Sequence, residues 1–129
     1  MRRRRLRITS ELVERIWAEI LTTLPADLRQ AVDNLAILLE EEPTPEQRQA
    51  LGLSPGESLY GMFEGPTLAE RDRASIAWPS RILLFRRPLE ADFGSDPFRL
   101  RAEIRRTLLH ELGHYFGLSE EALGRLGLE

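Results

Sequence analysis

His110 and His114 are the only histidines in the chain, and they stand four residues apart in the string His110-Glu111-Leu112-Gly113-His114-Tyr115-Phe116-Gly117-Leu118-Ser119-Glu120. On a helix, positions four apart share a face, so the two imidazoles can converge on one metal ion. Glu111 follows the first of them by one step of about 100°. It points beside the ion rather than at it, where a general base for an activated water belongs. Gly117 can adopt a positive φ and stop the helix sharply. The chain can then double back and bring Glu120 to the same ion as a third ligand. Glu121 is the rival for that place, because a turn after Gly117 can present either carboxylate. The chemistry of this spacing is zinc hydrolysis, with zinc as the cofactor. A blander account competes with it: H-E-x-x-H also arises in helices that bind nothing, Gly117 is an ordinary helix terminator, and Ser119-Glu120-Glu121 suits a plain helix start. The Gly and the acid at third-ligand spacing favour the metal.

Composition narrows the setting. The 129 residues suit a single domain spanning 1–129, with 42% apolar residues for one modest core. There is no cysteine, which excludes thiolate ligands and disulfides, leaves His and carboxylate as donors, and suits the cytoplasm. The net charge of −3 does not mark a binder of polyanions. All 18 basic residues are arginine. No stretch reaches the roughly 18 apolar residues that a membrane span needs, so no membrane association is expected. Residues 1–7 form a basic arm, read as a flexible, solvated terminus, since no aromatic side chain is interleaved for contact with nucleic acid.

Several elements must position the motif. Thr9 or Ser10 can cap a first helix running to about Leu24, with Leu12, Val13, Ile16, Trp17, Ile20, Leu21 and Leu24 as its apolar stripe and Pro25 as its end. Leu35-Ala36-Ile37-Leu38-Leu39 predicts a buried strand, with the acids after it as its solvated exit. Residues 43–57 predict a loop with one helical turn around 46–51. Leu59-Tyr60-Gly61-Met62-Phe63 predicts a second strand, in which Gly61 marks a bulge or a close backbone approach. Residues 66–80 read as a polar connection, residues 81–86 as a third strand and residues 88–94 as a loop. Asp96-Pro97 then opens a long helix that continues through His114 to about Phe116. Leu100, Ile104, Leu108 and Leu112 fix its buried face. A short helix of roughly 120–126 comes last. Three strands with a long helix behind them make a small α+β layer.

On these residues the chain resembles the zincins, and more closely the bacterial minimal metalloprotease-like (zincin-like) family. His110 to Glu120 resembles the metzincin pattern H-E-x-x-H-x-x-G-x-x-H/D, with Glu120 in the third place. Leu59-Tyr60-Gly61-Met62-Phe63-Glu64-Gly65-Pro66-Thr67-Leu68 resembles the family's aromatic-Glu-Gly stretch, and Pro79-Ser80-Arg81-Ile82 its following strand entry. The resemblance implies a small mixed sheet of about three or four strands packed on the active-site helix and the N-terminal helix. One departure stands out. The only methionines are Met1 and Met62, so no methionine turn follows Glu120 in this sequence, and no far wall of a cleft is encoded there. The site is therefore expected to be shallow and open.

The function implied is a zinc metalloendopeptidase. His110, His114 and Glu120 would hold zinc, and Glu111 would be the catalytic base. A peptide or protein substrate would add as a strand to a sheet edge at residues 59–63 or 81–86. Tyr60 and Tyr115 are read as core residues, and no oxyanion donor is assigned. The alternative is a zinc-containing protein-binding or regulatory module with little turnover. A nucleic-acid-associated protein using Arg2 to Arg5 ranks last, because a structural zinc usually takes four protein ligands and only three are evident.

Overall fold

A computed structural model describes residues 5–73 and 78–126. The first helix, α1 (Ser10–Thr23), starts where the Thr9 hydroxyl accepts the Leu12 amide, and it buries Val13, Ile16 and Ile20. Pro25 ends it as expected but also opens a short helix, α2 (Ala26–Ala31), which runs through a single 3₁₀ turn at Val32–Asn34 into strand β1 (Leu35–Glu40). A second short helix, α3 (Pro45–Ala50), carries a full capping box between Thr44 and Gln47. Strand β2 (Gly61–Glu64), helix α4 (Leu68–Arg73) and strand β3 (Ser80–Phe85) come next. Helices α5 (Arg86–Phe93), α6 (Pro97–Phe116) and α7 (Glu120–Arg125) complete the described elements.

The fold is α+β, with a mixed three-stranded sheet in the order β1-β3-β2. β1 runs parallel to β3, and β2 runs antiparallel to it. Ile82, Leu83, Leu84 and Phe85 are all buried, as a continuous apolar run in a central strand should be. α6 packs across β2 and β3 and also meets α1 and α5. Its Leu100, Ile104, Leu108 and Leu112 are buried to within 2% exposure, which confirms the four-residue stripe that sets its rotation.

Four expectations need correction. Residues 88–94 are not a loop, because α5 occupies Arg86–Phe93. Pro88 lies in the first turn, where an amide has no intrahelical partner to lose, so it does not break the helix. Leu89 and Phe93, four apart, are buried, and Arg86 pairs with Glu90 at 2.8 Å. Residues 66–80 are not merely a polar connection, because α4 forms there on a Thr67–Glu70 cap. The basic arm is not wholly free either. Residues 1–4 lie outside the described residues, but Arg5 donates to the Glu90 and Ala91 carbonyls, and the Leu6 amide bonds the Gly94 carbonyl at 2.8 Å. Glu41, read as part of a solvated strand exit, instead binds Arg86 and Arg87. Among the described residues, no helix is long and apolar enough to cross a membrane.

Candidate metal centre

The whole H-E-x-x-H string lies inside α6, which supplies the helical context that the spacing needs. Asp96 caps that helix by accepting from the Phe98 and Arg99 amides, and Pro97 sits at its first position. At the other end Gly117 is left-handed, with φ +71°. The Leu118 amide bonds back to the Gly113 carbonyl at 2.8 Å, and the Gly117 amide to that of His114 at 3.2 Å. This closure suits glycine, whose missing Cβ removes the steric cost of positive φ. The chain reverses, Ser119 caps α7 by accepting the Ala122 amide, and Glu120 becomes the first residue of α7.

α7 sits close because Gly113 has no side chain. A Cβ there would lie 2.8 Å from Leu123 Cδ1. Leu123 is buried, so it anchors the short helix against α6. The return therefore brings Glu120 Oε1 to 3.0 Å from His110 Nδ1. No such contact joins Glu121 to either histidine among the described residues.

Glu111 falls next to Leu112 on the margin of the buried helix face and is only 6% exposed. Its carboxylate lies between the imidazoles, with Oε1 3.1 Å from His114 Nδ1 and Oε2 3.9 Å from His110 Nε2. The histidine rings themselves point outward, 46% and 55% exposed, with centroids 4.9 Å apart. Burial pushes the Glu111 carboxyl up to about 7, against the opposing pull of His110 and of the Phe63 backbone amide that bonds it. The structure thus brings His110, Glu111, His114 and Glu120 together. They are arranged as carboxylate–imidazole pairs, and among the described residues no three donors are grouped as ligands around one ion.

The Phe63 amide was not legible in the sequence, because its direction depends on strand register. Phe85 donates to the Tyr60 carbonyl at 2.9 Å, and Tyr60 is followed by the pairs Gly61–Leu84, Met62–Leu83 and Phe63–Ile82. In an antiparallel ladder the hydrogen-bonded pairs alternate. Gly61 and Phe63 therefore turn their backbone groups away from β3, toward the open edge of β2. The Gly61 expectation of close approach holds: a Cβ there would meet Thr107 Cγ2 of α6 at 2.6 Å and the Leu83 carbonyl at 2.8 Å.

Between β2 and α6 opens a cleft of about 960 Å³, lined by Tyr60 and Gly61 on one side and by His110, Glu111 and Glu120 on the other. Tyr60 is only partly a core residue. Its ring packs on Phe93 at 5.3 Å, but its edge lines the cleft and its hydroxyl donates to Asp92. That bond, with burial, raises its pKa to about 12. Tyr115 is fully buried as expected, and its hydroxyl donates to the Ala31 carbonyl at 2.9 Å.

A family model described as zincin-like metallopeptidase matches residues 32–128. Among solved structures, a conserved hypothetical protein from Thermo thermophilus is similar at 28% identity. That match covers 89% of this chain and 94% of the other, with a TM-score of 0.49. No curated protein matches the chain.

Proposed function

Because the chain belongs to the zincin-like metallopeptidase family, we propose that it is a zinc-dependent peptidase in which Glu111 is the general base. One observation carries this: a buried carboxyl stands between two exposed imidazoles at the wall of a cleft.

The donor set fits zinc by its chemistry. Two imidazoles and one carboxylate are a set that leaves a position open in catalytic zinc sites. His110, His114 and Glu120 would hold the ion. The histidine rings and the Glu120 carboxylate are at least 46% exposed, and exposed side chains change rotamer in picoseconds to nanoseconds. Glu120 is preferred to Glu121 because it already stands at His110. When bound, zinc supplies a Lewis acid that polarises a carbonyl and lowers the pKa of water toward about 7.

The remaining work belongs to the chain. Glu111 accepts the proton of the attacking water and later returns it to the leaving amine. Burial raises the proton affinity of this carboxyl and the zinc ion would oppose that rise, so the two together would set the group that takes the proton and returns it. The Phe63 amide holds the carboxylate in place between those transfers. A peptide would add along β2. β3 is paired on both sides and has no free edge, so residues 81–86 drop out as the substrate edge. The outward backbone groups of Gly61 and the carbonyl of Phe63 are what β2 offers.

Metal analysis of the purified chain, followed by a cleavage screen with a broad peptide library, tests this. About one zinc per chain is expected. Cleavage should fall by roughly 10²–10⁴ in Glu111→Gln. A zinc-loaded protein that cleaves nothing would give first place to a zinc-containing binding or regulatory module.

A further inference from the structure

Arg106 lies four residues before His110 on α6, so the two share one helix face. The separation along the axis is about 6 Å. Arg106 lines the same cleft as His110 and Glu120 and is exposed. No ion pair or hydrogen bond engages its guanidinium among the described residues. Several other side chains of this surface are already committed. Thr107 donates its hydroxyl to the Glu103 carbonyl at 2.8 Å, Tyr60 is tied to Asp92, and Glu111 and Glu120 stand at the imidazoles. Glu103 also lines the cleft, one turn farther from the histidines. Arg105 lines the same span but is half-buried and already engaged, so a negative charge carried between Glu103 and His110 meets Arg106 as the exposed cation.

We propose that Arg106 is a specificity-determining residue that binds a substrate carboxylate about two residues from the scissile bond. An extended peptide advances roughly 3.3 Å per residue, so the helix spacing from His110 to Arg106 corresponds to about two residues. A planar guanidinium presents two parallel donors that match a carboxylate, and few other substrate groups can use both. Gly61 packs β2 closely against Thr107 of α6, and this fixes how the β2 edge and the Arg106 face of α6 sit along one cleft. The substrate class is thus an acidic peptide segment or a peptide ending in a free carboxylate close to the cleaved bond. This rests on the peptidase reading above and adds the selectivity of the same cleft.

The test uses the full chain loaded with zinc and matched peptides. One pair carries Glu or Gln at the second residue from the cleaved bond, on either side of it. A second pair has a free or an amidated C-terminus at that position. Wild type is expected to favour the carboxylate by on the order of tenfold in kcat/KM. The first pair identifies an acidic side chain as the source, the second a terminal carboxylate. Arg106→Gln should bring the ratio near one, and Arg106→Glu should turn the preference toward Lys or Arg peptides, a gain that misfolding cannot produce. Affinities of the same peptides for zinc-loaded Glu111→Gln, measured by calorimetry, give a readout independent of turnover. If wild type cleaves nothing but these affinities still favour the carboxylate through Arg106, the peptidase reading fails and the Arg106 assignment stands. Equal rates and equal affinities within both pairs, or a preference unchanged in Arg106→Gln, would overturn the assignment.

Discussion

Glu111→Gln should stabilise the metal-free protein, and only at neutral to alkaline pH. The folded carboxyl titrates at about 7, against an ordinary value of 4.5, and burial is the main cause. The folded state therefore holds this proton more tightly than the unfolded chain does. The associated stability is fully present below about 4.5 and is lost as pH rises through about 7. The shift, at about 1.4 kcal/mol per unit, corresponds to an upper bound of about 3 kcal/mol. Gln has nearly the same shape, keeps an oxygen for the Phe63 amide and carries no charge to desolvate. At pH 8.5 the variant should be more stable than wild type by about 1–3 kcal/mol, which is a rise in Tm of roughly 5–10 °C for a chain of this size. Near pH 4.5 the two should unfold within about 0.5 kcal/mol of each other, the range of an ordinary neutral change. Both proteins keep the two histidines, so their difference reads the Glu111 charge together with its coupling to those imidazoles. Differential scanning calorimetry in chelator from pH 4.5 to 8.5 reads the gap directly. A gap that does not depend on pH, or a variant that is less stable at pH 8.5, would refute the argument that desolvation sets this carboxyl.

Three further outcomes are expected. His110→Ala and His114→Ala should each abolish the binding of about one zinc per chain, and wild-type zinc content in both variants would remove the metal site from this helix face. Glu120→Ala should weaken zinc in chelator competition far more than Glu121→Ala, because Glu120 stands 3.0 Å from His110; the reverse order would move the ligand to Glu121. Gly113→Ala places a methyl 2.8 Å from Leu123 Cδ1 and should cost about 1–3 kcal/mol by overpacking. It should also lower zinc affinity by displacing α7 and with it Glu120, so an affinity unchanged in a destabilised variant would separate α7 from the metal.

Much of the positioning framework is legible in the residues themselves. The Thr9 cap, the Asp96-Pro97 opening, the stripe from Leu100 to Leu112 and the stop at Gly117 are local signals, and local signals survive folding because they act within one or two turns. Spacing alone also places His110 and His114 on one face with Glu111 beside them. Misreadings arise where a residue has two local meanings. Pro25 and Pro88 read as breakers, yet proline is equally at home at the start of a helix. The residues after it make the difference: Leu89 and Phe93, beyond Pro88, find a core to pack on.

The tertiary structure decided what depends on distant parts of the chain. The sequence determined that this protein carries an imidazole pair and an adjacent carboxyl on one helix. It could not determine how buried that carboxyl is, because its pKa depends on the strand and core that cover it. Nor could it choose between residues 59–63 and 81–86 as the open edge. Strand order is a non-local property, and only the pairing of β3 with both neighbours leaves β2 free beside Glu111. The same holds for Glu120 and Glu121. Adjacent residues on a short helix point about 100° apart, and which one meets His110 is set by the packing of Leu123 into the space that Gly113 leaves.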